Sequence, residues 1–369
     1  MKIVYLFNSS IPSHNANSLQ VVNMCSQIAK AIGEVILITP DTGLKKSVSE
    51  HYGIKKNFKI IKVKNFNTFP RGFKYYLYSL YSIIIGLKFN PKVFITRNYF
   101  TLFILILLRK KVIFEIHTGL EFEGRINNFI FKNLKIFNSK KIINLVFITH
   151  SIKENFFNKY KIKPKNFTIL SSASNLRSKY PTISEKNNLK IGYFGLVNKS
   201  RGSDFLFRLS HFDRGNKYYI FGGTKENISF KKKKTFHKNI FFKEFTPYKK
   251  IKNLMSNMDI LILPYEKEIS AAGNFGNIAQ YTSPMKLFDY LGSTKPIIAS
   301  SLPVLKEILT NKKNCIFVEE LNVQKWKLAI NKLSLNFQLR KIISKNNFFL
   351  SKNYTYEKRV QKMFSNLDI

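Results

Sequence analysis

Two rhythms alternate along the chain. Short runs of Ile, Val, Leu and Phe bounded by turn residues give way to longer stretches whose apolar positions recur every three or four residues. Continuously apolar strands separated by amphipathic helices are the pattern of a parallel sheet covered on both faces. In the first half the strands are read at Lys2 to Phe7, Glu34 to Thr39, Phe58 to Val63, Lys92 to Thr96, Lys111 to Ile116, Asn144 to Thr149 and Asn166 to Leu170. Ser18 to Ala31 reads as a helix with Leu19, Val22, Met24, Cys25, Ile28 and Ala29 on roughly one side, and Gly33 ends it.

A second series opens near Leu189, with strands at Leu189 to Phe194, Lys217 to Phe221, Asn239 to Phe242, Asp259 to Leu263, Pro296 to Ala299 and Cys315 to Val318. Between the two series, Ser171 to Asn188 is polar, holds Pro181 and lacks periodicity, so it reads as a linker. The expected organisation is therefore an α/β chain of two doubly wound units, 1–175 and 189–350, followed by a C-terminal helical segment, 351–369, that can cross back to the first unit. Asn353 to Phe364 forms its helix. Two such units facing each other place a ligand crevice at the carboxyl ends of their strands.

Composition narrows the class. Of 369 residues, 44% are hydrophobic and 35 are Phe, which excludes a disordered chain. The 62 lysines and arginines against 21 acids give a formal charge of +41, which favours anionic partners. Compositional drift in an A/T-rich genome, an anionic membrane surface and nucleic acid all accommodate that charge, so charge alone selects no function. Lys231 to Lys234 reads as a solvated loop. Cys25 and Cys315 form neither a disulfide framework nor a zinc spacing, which fits a reducing cytosol. The N-terminus lacks the pattern of a signal peptide, and the longest apolar run, Tyr99 to Leu108, is about half of what a spanning helix needs. A cytoplasmic protein is expected.

Two stretches carry candidate chemistry. In Ser283-Pro284-Met285-Lys286-Leu287-Phe288-Asp289, Ser283 is expected to cap a helix with Pro284 in its first turn, leaving the amides of Met285 and Lys286 beside the positive end of the dipole. Asp289 lies one turn further on the face of Met285, roughly 6 Å along the axis, a spacing that suits a carboxylate on a ribose diol while the helix tip holds a phosphate. In Gly192-Tyr193-Phe194-Gly195-Leu196-Val197-Asn198-Lys199-Ser200-Arg201-Gly202, a strand ends at Phe194, Gly195 permits close backbone approach and Arg201 stands where the next helix begins, able to meet a diphosphate with two hydrogen bonds. An ordinary capped helix and a surface cation are the plain structural alternatives.

Together these stretches resemble the donor domain of retaining GT-B glycosyltransferases of family 4, the glycosyl transferases group 1 type. Tyr219-Ile220-Phe221-Gly222-Gly223, Asp259 to Tyr265, Ser270-Ala271-Ala272-Gly273 and Ser301 to Ile308 fall in matching order. The resemblance implies two facing Rossmann-like domains with an interdomain cleft. It implies donor-binding roles for Asn17, Gly195, Lys199, Arg201, Gly222, Gly273, Ser283, Pro284, Met285, Lys286 and Asp289, and catalytic roles for His117, Arg201 and Asp289. Asn15 to Ser18 would open a helix with amides toward the donor phosphate. His117, after the strand Phe114-Glu115-Ile116, would project toward the reacting sugar. His150, before a helix capped by Ser151, reads as structural. Two departures stand out: the first acid of the family's pair is Tyr281, and a usual phosphate-binding base is Leu196, leaving Lys199 or Lys286 to compensate.

The implied reaction transfers a sugar from a nucleotide-diphosphate donor to a glycan or lipid-linked acceptor with retention, in cell-surface polysaccharide biosynthesis. No Asp-x-Asp triplet occurs, so no metal or other cofactor is expected. Phe73 to Lys88 is apolar around its circumference, rich in Tyr and flanked by cations, which suits either a membrane interface or a helix packed against the sheet. An anionic membrane surface, reached from the inner face of the cytoplasmic membrane, is thus a candidate partner, and nucleic acid is not expected. A sugar-nucleotide epimerase of the same architecture, a nucleic-acid-binding protein and an inactive scaffold remain the alternative functions.

Overall fold

The computed structural model describes residues 1–41, 43, 47–162, 164, 166–186, 188–197, 201–226, 228, 238–269, 277–365 and 367. The chain divides into two compact units, Met1–Ser172 with Tyr356–Ile369, and Ala173–Thr355.

Unit 1 is built on β1 (Lys2–Leu6), β2 (Glu34–Pro40), β3 (Lys59–Val63), β4 (Val93–Thr96), β5 (Val112–Ile116), β6 (Ile142–Phe147) and β7 (Phe167–Ile169). They form one parallel sheet in the order β3-β2-β1-β4-β5-β6-β7. Unit 2 repeats the plan with β8 (Lys190–Phe194), β9 (Lys217–Gly223), β10 (Ile240–Glu244), β11 (Ile260–Leu263), β12 (Ile297–Ser300) and β13 (Cys315–Val318), ordered β10-β9-β8-β11-β12-β13. Every strand read from the sequence is present. In each sheet the winding reverses beside the first strand, between β1 and β4 and between β8 and β11, the switch point where a doubly wound sheet opens toward a ligand.

The strands are uniformly apolar because both faces are covered. In unit 2, Ile191, Tyr193, Ile260 and Ile262 pack into one core with Trp326 and Ile330, whereas Phe194, Leu261 and Leu263 pack into the other with Leu287, Phe288 and Tyr290. Successive strand residues point to opposite faces, so a run without polar interruption fills both layers.

Of the segment read as a linker, Ser171 and Ser172 fall in unit 1 and the remainder in unit 2. Leu176 is buried, Ser178 N donates to Gly292 O (3.0 Å), and Ser184 O accepts from Arg340 Nη2 (3.2 Å). Its polar groups serve hydrogen bonds across the unit rather than solvent, which is why composition made it look unattached. The tail helix, Tyr356–Phe364, packs in unit 1 against helix Ala16–Ala31, with Val360 and Met363 fully buried and Asn144 Nδ2 donating to Met363 O (2.8 Å). The helix after β6 begins at His150, and Thr149, not Ser151, caps it: Thr149 Oγ1 accepts from Ile152 N (3.2 Å). The lysine tract 231–234 lies outside the described residues.

Helix Arg71–Leu87 has two characters. Tyr78 and Ile83 are buried, while Phe73 (58% exposed), Leu80, Tyr81 and Ile84 (56% exposed) face outward. Among the described residues no helix is long and apolar enough to cross a membrane.

Met363→Ala should empty a fully buried position and cost about 2–5 kcal/mol. Urea unfolding followed in unit 1 checks this, with an unchanged midpoint as the contrary result.

Candidate active site

In unit 2 the candidate residues gather at the carboxyl ends of β8, β9 and β11. Gly195 follows β8 with φ +153°, and its N–H donates to Phe221 O (2.9 Å). Gly222, at φ +118°, lies so close that a Cβ there would stand 2.4 Å from Gly195 O. A Cβ on Gly195 would stand 2.6 Å from Lys286 Nζ. Absent side chains at both positions therefore let backbone and lysine share one small space.

Lys286 is the second residue of helix Met285–Ser293. Its Nζ donates to Tyr193 Oη (3.0 Å) and lies over the rings of Tyr193 (4.3 Å) and Tyr265 (4.9 Å). The guanidinium of Arg201 lies over the same Tyr265 ring (5.3 Å). Burial first, and Arg201 second, push the Lys286 ammonium well below the usual lysine range. Two cations sharing an aromatic floor at the start of a helix repel each other, and an anion placed between them would relieve both that repulsion and the loss of solvation.

The helix begins one residue later than a serine cap requires. Pro284 is the N-cap, extended at ψ 116°, without a side-chain cap hydrogen bond, and its carbonyl accepts from Leu287 N (3.0 Å). Proline offers no side-chain acceptor, so the first-turn amides of Met285 and Lys286 are left to other partners.

Asp289 sits one turn along and is 7% exposed. Its Oδ1 accepts from Ser174 Oγ (2.5 Å) and Tyr248 Oη (2.7 Å). Burial raises its carboxyl to about 6 against the opposing pull of Ser174, Tyr248 and Arg177. Both of these hydrogen bonds fall on Oδ1. The position of the missing acid, Tyr281, is buried. Lys199 and Gly273 lie outside the described residues.

Unit 1 holds the other two candidates. Asn17 belongs to the first turn of helix Ala16–Ala31 rather than to a preceding loop, because Asn15, extended at φ −76° and ψ 137°, already ends the strand-like approach; Asn17 Nδ2 donates to Ser9 Oγ (3.4 Å). His117 follows β5 with its side chain 27% exposed and Nε2 3.4 Å from Glu115 Oε2. Glu115 is fully buried and paired with Arg97 (Nε to Oε2, 2.6 Å) and Arg359 (Nη2 to Oε1, 2.7 Å). Burial and Arg97 lower the imidazole to about 4, against the contrary influence of Glu115. The roles of Tyr193, Tyr265, Ser174, Tyr248, Arg97 and Arg359 were not legible in sequence. For Arg359 a signal existed, since it stands among Tyr356, Val360 and Met363 on the apolar side of an amphipathic helix.

Residues 206–348 match the family described as Glycosyl transferases group 1. That match lies within unit 2. No curated protein matches its sequence. Among solved structures it is similar to sucrose-phosphate synthase (tll1590) from Thermosynechococcus elongatus, with TM-score 0.76 and 13% identity over 99% of this chain and 97% of that one. Anabaena Alr3699/HepE in complex with UDP and glucose matches with TM-score 0.71 and 14% identity over all of both chains. WaaG, a glycosyltransferase involved in lipopolysaccharide biosynthesis, matches with TM-score 0.63 and 13% identity over 98% of this chain and 99% of that one. At such identities the likeness establishes the fold: two Rossmann-like domains of the GT-B class. Among the described residues no group of three or more His, Cys, Asp or Glu could hold a metal ion.

The partly buried imidazole has a thermodynamic signature. With a folded value near 4 below the ordinary 6.5, His117 contributes stability that is present above pH 6.5 and lost as pH falls toward 4. Relative to His117→Asn, the wild type should lose up to about 3 kcal/mol across that window. Urea titrations at pH 7 and pH 4.5 check this; a constant difference between the two chains would contradict it.

Proposed function

We propose that this glycosyltransferase moves a sugar from a nucleotide-diphosphate donor to a glycan or lipid-linked acceptor with retention of configuration, in the assembly of a cell-surface polysaccharide. The observation that carries the reading is the pair of cations, Lys286 and Arg201, over the Tyr265 ring beside the first turn of helix Met285–Ser293. Negative charge develops on the leaving diphosphate as the anomeric carbon becomes oxocarbenium-like, and two preorganised cations with helix-tip amides are suited to stabilising it. Lys286 takes the place of the phosphate-binding base that Leu196 lacks. Asp289 Oδ2 would accept from the ribose hydroxyls, one turn away. HepE is described with UDP and WaaG with lipopolysaccharide biosynthesis, which supports the donor and acceptor classes by analogy.

No Asp-x-Asp triplet is present in the sequence to bridge phosphates through a metal, and the two cations can carry that charge, so the proposed transfer is metal-independent. The exposed face of helix Arg71–Leu87, with Phe73, Leu80, Tyr81 and Ile84 near Lys74 and Lys88, would rest on the anionic inner face of the cytoplasmic membrane, where a lipid-linked acceptor resides.

Lys286→Ala and Arg201→Ala should each weaken UDP or GDP binding by about 10–100-fold, the worth of one charge-assisted contact. Calorimetric titration reads the change, and undiminished affinity in both variants would remove the donor assignment. EDTA should leave turnover intact, whereas inhibition reversed by Mn²⁺ would refute metal independence. The protein should sediment with phosphatidylglycerol vesicles at low salt, and Phe73→Ser with Ile84→Ser should release it; wild-type protein that stays in the supernatant counts against membrane docking.

A further inference from the structure

The unit 1 cluster contains a chain of dependence that starts at the far end of the sequence. Glu115 Oε2 accepts from Arg97 Nε (2.6 Å) and Tyr5 Oη (3.1 Å), and Oε1 accepts from Arg359 Nη2 (2.7 Å). Arg359 is itself fixed, because its Nη1 donates to Leu170 O (2.5 Å) and Ser171 O (3.0 Å). Held between two guanidiniums, the Glu115 carboxyl stays well below its usual range although burial alone would raise it. It is therefore an ionised group that can only accept hydrogen bonds.

That restriction decides the state of His117. The groups facing the pair are Tyr5 from β1, the Cys25 thiol from helix Ala16–Ala31, Arg97 after β4, and Arg359 from helix Tyr356–Phe364. Burial raises both the phenol and the thiol, so each stays neutral, and the cluster carries two positive charges against one negative. A second proton on the imidazole would add a third cation. The ring thus keeps one N–H, and the Nε2 to Oε2 contact of 3.4 Å requires it to sit on Nε2.

We propose that Glu115, held by Arg97 and Arg359, is a positioning residue that fixes His117 as the Nε2–H tautomer and leaves Nδ1 as a hydrogen-bond acceptor for a substrate hydroxyl. Nδ1 then receives a sugar hydroxyl and rejects a phosphate or carboxylate oxygen, which has no hydrogen to give. The side chain's 27% exposure provides the approach. The assignment of a sugar as the ligand rests on the proposed glycosyl transfer; the tautomer itself does not.

The test uses the full-length protein labelled with ¹⁵N-histidine and long-range ¹H–¹⁵N correlation. One imidazole, identified by its loss in His117→Asn, should show the Nε2–H pattern without titrating between pH 5.5 and 8. Arg359→Met should raise its apparent pKa by about one unit or more, a tenfold gain in proton affinity. Arg359→Lys, which retains a cation, should restore the wild-type pattern. An Nδ1–H tautomer, titration near pH 6.5 in the wild type, or an unchanged resonance in Arg359→Met would each overturn the proposal. If Arg359→Met does not fold, the tautomer and titration of the wild type decide alone. UDP titration of the same sample separates the two readings: failure to bind any nucleotide with an intact Nε2–H pattern would sink the donor assignment and spare the positioning role.

Discussion

Taking charge out of water is expensive, and this protein does it twice with opposite solutions. In unit 1 the fully buried Glu115 carboxylate is matched by two arginines, a phenol and an imidazole, so the cost is offset internally and the surrounding loops are fixed by that match. In unit 2, Lys286 is packed against two aromatic rings with Arg201 as its charged neighbour, and its ammonium is driven toward neutrality. The first arrangement holds geometry, whereas the second leaves two basic groups over one aromatic ring. Both sites stand near the switch points of their parallel sheets, between β1 and β4 and between β8 and β11.

The architecture was legible because parallel strands buried on both faces leave an unbroken apolar record, and all thirteen were read to within a few residues. Boundaries were harder. Pro284 and Asn15 mark helix starts that sequence placed one or two residues away, since an extended ψ at the cap is a backbone fact with no fixed residue code. The segment 173–186 was misread because hydrogen bonding by Ser174 and Ser184 looks, in composition, identical to solvation. The candidate site was visible only where residues close in sequence act together, as along Ser283 to Asp289. Partners brought from afar, such as Tyr248 to Asp289 and Ser174 to Asp289, leave no local periodicity to detect.

The charge of +41 looks different once placed on the fold. Among the described residues Arg340 and Arg359 are buried, Arg97 pairs with the buried Glu115, and Lys286 packs over two aromatic rings. A field of that size bears on encounters in solution, whereas the embedded basic groups bear on local geometry. Glycine contributes to that geometry by omission, since Gly195 and Gly222 leave the room that the lysine and the adjacent backbone use.

The return of helix Tyr356–Phe364 to unit 1 sets an order on biosynthesis. Arg359 is made 244 residues after Glu115, an interval of roughly 12–50 s at ribosomal speeds. Throughout that interval the nascent first unit carries its central acid with one guanidinium missing, and the second unit can be complete before the first is closed. The part of the chain that emerges earliest is thus the last to mature.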